Sequence, residues 1–401
     1  MHILSEDQIA LVGGTESMSQ APSVVRGVRW GLGLWAACVG GRARHRCDCG
    51  AIVTEGTRGL LFLLVLLSCS LVPSLSAQWS LATREPVDVW LHGYALVHDD
   101  SSAVPLYRRG YRADVAAAKG AASVVTDLDV NVDKLRATMR AVPSLMGGQF
   151  LALEFVTWGD MRSAIQLWLD TEGDPRRLRA PDDLHRAGKV AAYFPDARSR
   201  DWLRLFVLGL DDEYRKYFRA TWATEQAARA ATLGAAQRIW RDSLYPSLRT
   251  FLGNSQLGGG TIVPSFVLGG EGRTVTPSRS TSVITTGLPA SDTAAWGIAY
   301  VFVHEAASTV AAAAVRDHTT PAQQRSGEAE VYSAVALVRG GALLLEKAMP
   351  NKVEDYMRFY LTAAGTPVAG EVRAAFAATF ALPAPMLTGI KAQIDIVWGG
   401  I

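Results

Sequence analysis

The chain has 401 residues, a length suited to two or three domains, and 49% of them are apolar. Lys and Arg total 40 against 38 Asp and Glu, a formal charge of +2, which indicates neither a nucleic-acid surface nor a polyanionic partner. The four cysteines are Cys38, Cys47, Cys49 and Cys69, so everything beyond residue 69 works without disulfides, thiolate catalysis or a Cys-ligated zinc.

Residues 1–34 contain ALVGGTESMSQAP followed by VVRGVRWG. This segment closely resembles an internal stretch of thiolases, the acetyl-CoA acyltransferases. The resemblance implies acyl transfer, but it covers less than a tenth of the chain. In that family the nucleophilic cysteine lies in a motif upstream of this stretch, and a His and a second Cys follow far downstream. No such motif stands here on either side, so no thiolase catalytic residue carries over. Residues 1–34 are expected not to fold as a thiolase, and acyl transfer is the remotest functional reading. Residues 35–57 form an irregular junction without a period of 2 or 3.6. His45, Cys47 and Cys49 lack the second ligand pair that a metal knuckle needs.

Arg58 then leads an apolar run, Leu60 to Leu67, broken by Pro73 and ending in the small pair Ser76-Ala77. That is the grammar of a secretory signal, with cleavage expected after Ala77. The run is short of the roughly 20 residues of a comfortable membrane span. Residues 58–77 therefore predict export to the periplasm or beyond, with membrane contact only through this segment if it is retained as an anchor. Leu67 fits poorly the position that a lipidated Cys69 would require.

From residue 78 to 252 the pattern is mainly helical. DVWLHGYALVHDD (88–100) alternates weakly and then turns, and His92 and His98, six apart, read as structural. Helices are expected over 130–146, 161–169, 181–193, 198–208 and 211–242. The last carries Tyr214, Phe218, Trp222, Leu233, Ala236 and Trp240 on a stripe that Arg229 interrupts. From residue 253 to 401 the pattern is α+β. Strands are expected near 261–268, 273–277 and 282–286. The glycines at 269, 270 and 272 suit a hairpin turn; no GK[ST] or helix follows as a phosphate loop would need.

Residues 296–318, WGIAYVFVHEAASTVAAAAVRDH, read as one long buried helix with His304 and Glu305 at its middle. Ionisable side chains buried there need partners or change their charge. Thr320 caps a helix opened by Pro321, expected to end near Gly340-Gly341 and to resume to Met349. Three more helices are expected over 353–364, 370–380 and 384–397.

A small antiparallel sheet feeding a helix with V-x-V-H-E, then a second helix acidic near its start, resembles the zincin metallopeptidases, most of all the gluzincins. The resemblance covers residues 255–365 in architecture and only a few positions in sequence. It implies an α+β, mainly helical fold with a small antiparallel sheet packed on the His-Glu helix. In HExxH the two histidines bind zinc from one helix face and the Glu is the general base. The resemblance makes His304 the first ligand, Glu305 the base, and Glu328 or Glu330 the third ligand. Ser308 stands where the second histidine belongs, Ala314 where a metzincin has its third ligand, and His318 is about 20 Å along the axis from His304. A complete site would need His92, His98 or His185. The expectation is a degenerate, noncatalytic zincin-like domain without cofactor that binds peptide or an envelope protein, its polar pair satisfied by neighbours such as Arg339. The second reading is an active zinc hydrolase using His304 and Glu305.

Overall fold

The computed structural model describes residues 79–98, 104–196, 198–255, 257–278, 281–366 and 370–400. The thiolase-like stretch, the junction and the signal-like segment lie outside these residues. In chain order the helices are α1 (Glu85–Val97), α2 (Tyr111–Ala121), α3 (Asp127–Ala141), α4 (Trp158–Asp170), α5 (Pro181–Tyr193) and α6 (Ser199–Glu213). Then come α7 (Arg219–Ala228), α8 (Ala230–Ile239), α9 (Tyr245–Asn254), α10 (Trp296–Ala306), α11 (Ser308–His318) and α12 (Pro321–Arg325). The last are α13 (Glu328–Ala348), α14 (Val353–Ala363), α15 (Val372–Thr379) and α16 (Ala384–Gly399). The strands are β1 (Ser80–Leu81), β2 (Gly260–Ser265), β3 (Arg273–Ser278) and β4 (Thr281–Gly287). The class is α+β and mainly helical, as expected. One hydrophobic core runs through both the 78–252 and the 253–401 regions.

The sheet is mixed rather than wholly antiparallel. Its order is β1-β2-β4-β3, with β1/β2 and β2/β4 parallel and only the β3/β4 hairpin antiparallel. Hydrophobicity explains the order. β2 and β4 are buried along almost their whole length, so each needs cover on both faces. β3 is RTVTPS, half-exposed and carrying Pro277, which suits an edge. The hairpin therefore folds outward and leaves β4 against β2.

Helix α1 was not expected. Every residue of it after Glu85 is buried, so there is no polar face from which a period of 3.6 could be read. The long helix expected over 211–242 also divides differently. α6 runs on to Glu213, a π-helical turn follows at Tyr214–Phe218, and a second lies at Trp240–Leu244. The chain does break at Arg229, where the aromatic stripe is interrupted.

The expected 296–318 helix is two helices, α10 and α11, bent by 42° at Ala307. α10 packs on β4 and on α13. Thr320 caps α12 through a capping box with Gln323, in keeping with its sequence. α13 does not stop at Gly340-Gly341 but passes straight through. These glycines are contact points: a Cβ at 340 would stand 3.2 Å from the Ala307 Cβ, and one at 341 would stand 2.1 Å from the Tyr356 hydroxyl. Since position 340 faces Ala307 and Ala311, and a short connection joins the two helices, α11 and α13 run antiparallel. Among the described residues no single helix is long and apolar enough to cross a membrane.

Candidate metal centre

α10 carries His304 and Glu305 into the core because its neighbours on every side are apolar. His304 is fully buried, and Glu305 nearly so. Strand β3 fixes the second side chain: the Thr274 hydroxyl donates to Glu305 Oε2 at 2.8 Å. The loop between β2 and β3 brings a third ionisable group, Glu271. Its Oε2 lies 3.7 Å from His304 Nε2, while Glu305 Oε1 lies 3.3 Å from His304 Nδ1. On the remaining side the Tyr360 ring of α14 stacks on the imidazole, with centroids 5.4 Å apart and planes at 25°.

The loop reaches this depth because residue 272 is glycine. A Cβ there would meet the Thr285 carbonyl oxygen at 2.4 Å and Val301 Cγ1 at 2.7 Å. The first contact is with backbone and cannot be relieved by a rotamer change. Gly272→Ala is expected to cost about 1–3 kcal/mol and to push Glu271 away from His304. Urea unfolding at pH 7 would measure the cost; an unchanged midpoint would mean that the loop yields easily.

The electrostatics are those of an imidazole between two acids. Burial disfavours the charged ring, but Glu271 and then Glu305 outweigh it, so the His304 pKa lies above its ordinary value. Ion-pair distance does not make a hydrogen bond here. Neither ring nitrogen of His304 has a partner in hydrogen-bonding geometry, and the buried Tyr360 hydroxyl has none either. Three orphaned polar atoms at one place are unusual, because such atoms normally find partners.

His304, Glu305 and Glu271 each offer a ligand atom, and these atoms all lie within 4.8 Å of one another. The set could hold a metal ion. One imidazole and two carboxylates suit zinc, manganese or ferrous iron better than a soft ion.

Of the residues expected at the site, the structure joins His304 and Glu305 and leaves out Glu328 and Glu330. Glu328 opens α13 twelve residues before Gly340, about 18 Å along the axis from the level of Ala307. Its carboxylate accepts instead from the Tyr332 hydroxyl and from Gln323 Nε2. Glu330 is exposed on the same first turn. The antiparallel course of α11 and α13 thus places the acidic turn at the His318 end. Arg339 is no partner of the pair; its guanidinium lies over the Phe376 ring. The bend at Ala307 falls between positions 304 and 308, the two that HExxH needs on one straight face. Glu271 was missed. Its one local mark in the sequence is its place among Gly269, Gly270 and Gly272.

A second buried polar cluster surrounds His92 on α1. Its Nε2 lies 2.9 Å from Glu213 Oε1 and its Nδ1 lies 2.8 Å from the Tyr111 hydroxyl. Glu213 Oε2 accepts from Lys119 Nζ at 2.6 Å and from the Thr126 hydroxyl. Both nitrogens of His92 are committed there, so the structural reading of His92 suits the geometry. His185 is exposed on α5, and neither it nor His98 joins the His304 group. Set against known protein families, curated proteins and solved structures, the chain finds no match.

Proposed function

We propose that this is an exported protein whose C-terminal region is a zincin-like domain turned from hydrolysis to binding, with one divalent cation held by His304, Glu305 and Glu271. The observation that carries the reading is the pair of orphaned nitrogens on a fully buried imidazole with a carboxylate on each side. A cation would supply what those atoms lack and would offset the repulsion between two acids flanking one buried imidazole. The role is structural. A catalytic metal keeps a coordination position open to substrate, whereas His304 and Glu305 are closed off and only the Glu271 side chain is partly exposed, at 23%. Export rests on Arg58, the Leu60 to Leu67 run and Ser76-Ala77. The partner would be an extended peptide or an envelope protein adding to the outer edge of β3, which carries no strand on that side among the described residues.

Elemental analysis of the purified full chain, after dialysis against zinc and separately manganese, tests this. The expected result is about one ion per chain, lost in Glu271→Gln, with no peptide hydrolysis by the loaded protein. Absence of metal would remove the centre. Peptide hydrolysis that disappears in Glu305→Gln would restore the reading as an active peptidase, since that exchange removes the base.

A further inference from the structure

A cavity of about 290 Å³ lies at the carboxyl ends of the parallel strands β2 and β4. None of its lining residues belongs to the His304 cluster, so the cavity and the cation site are separate places in the fold. Its charged lining is two arginines, Arg108 and Arg229. Their carboxylate partners, Asp114 and Glu225, lie outside the lining, each 2.7 Å from one guanidinium nitrogen. A guanidinium has five N–H donors in a planar fork, so one such contact leaves donors over. On Arg229 the remainder is visible: the side chain is only 13% exposed, and its Nε is buried without a hydrogen-bond partner. A buried charged donor left unsatisfied is costly. The rest of the wall is apolar, from Leu268, Leu288, Pro289 and Phe359, or bare glycine backbone. Gly297 brings in the first turn of α10, whose N-terminal end favours negative charge.

We infer that this cavity binds a small monocarboxylate with an aromatic or branched aliphatic body, its carboxylate held by Arg229 and Arg108. The forked donors match a carboxylate, and the apolar wall takes the body. The lack of any acid in the lining excludes a cationic ligand. Carboxyl ends of parallel strands are also where open sheets commonly receive ligands.

Calorimetric titration of the full chain with 3-phenylpropionate tests the site, with 3-phenylpropionamide as the uncharged control and inorganic phosphate as the anion without a body. The carboxylate should bind saturably, and the amide about tenfold or more weaker. Arg229→Gln and Arg108→Gln should each weaken binding about tenfold while the melting temperature holds. Arg108 is the more exposed of the two, so if Arg229→Gln does not fold, Arg108→Gln decides the matter. Equal affinity for the amide, unchanged affinity in Arg108→Gln, or phosphate binding as tightly as the carboxylate would each overturn the assignment.

Discussion

Glu213→Ala will lower the stability of the fold by about 3–5 kcal/mol. Glu213 has no exposed side-chain surface, and both its oxygens are used, by His92 Nε2 on one side and by Lys119 and Thr126 on the other. Removing it leaves the buried Lys119 ammonium with only the part-exposed Asp129, 2.6 Å away, for a counter-ion. It also strips His92 of one partner and opens a void. Glu213→Gln keeps the shape and loses only the charge, so it should cost less. The acid limb of the stability profile gives an internal check. Burial pushes the Glu213 carboxyl up, but His92, Lys119 and Thr126 together hold it down to about 2. An acid with a depressed pKa stabilises the fold above its unfolded value and loses that contribution as pH falls toward the folded one. By linkage this amounts to about 3 kcal/mol, present at neutral pH and lost between roughly pH 4.5 and 2. Urea midpoints of the native chain and Glu213→Gln should therefore converge as pH drops through that window. A constant gap would mean that the charge of Glu213 is not what holds the network.

Asp88→Asn has the opposite sign. Asp88 lies on α1, one helical turn before His92, and is also buried. Trp222 Nε1 donates to its Oδ2 at 2.8 Å, but Oδ1 has no hydrogen-bond partner. Burial raises its pKa to about 7, against the pull of Ser265, Trp222 and Arg229 and with a small push from Glu85. A raised acid binds its proton more tightly in the folded than in the unfolded state. Stability thus falls as pH climbs from about 4 to 7, by about 4 kcal/mol in all. Asparagine stays neutral and keeps an acceptor for Trp222. The variant should match the native chain near pH 4 and exceed it by about 2–4 kcal/mol at pH 8. Thermal melts across that range decide it; parallel profiles would show that Asp88 does not titrate in the window. From these two acids alone, the native chain should be most stable near pH 4–5.

What could be read from the residues was what leaves a local mark. The capping box at Thr320, the polar pair inside an apolar helix, and β-rich composition after Gly253 are such marks, and the structure has each of them. Three things left none. α1 is buried on all sides, so its helical period is masked. The strand order depends on which strand is apolar enough to sit inside, a comparison between segments rather than a property of one. Gly340 and Gly341 look like a stop, and only the approach of Ala307 and Tyr356 makes them necessary within a helix. The site divides in the same way. His304 and Glu305 are adjacent in sequence and stand out, while Glu271 joins them through a loop whose depth is set by a missing methyl group at 272.

The pairing of β1 with β2 bears on how the chain assembles. Ser80 and Leu81 align with Thr261 and Ile262, and the Trp79 indole donates to the Leu257 carbonyl at 3.1 Å. About 180 residues separate these partners, so a ribosome delivering the chain from its N-terminus must release nine of the helices among the described residues before β1 can pair with β2. Closing so long a loop is slow compared with forming the helices inside it. Strand β1, the first among the described residues, is thus held in reserve, and its docking reports that the C-terminal region has arrived.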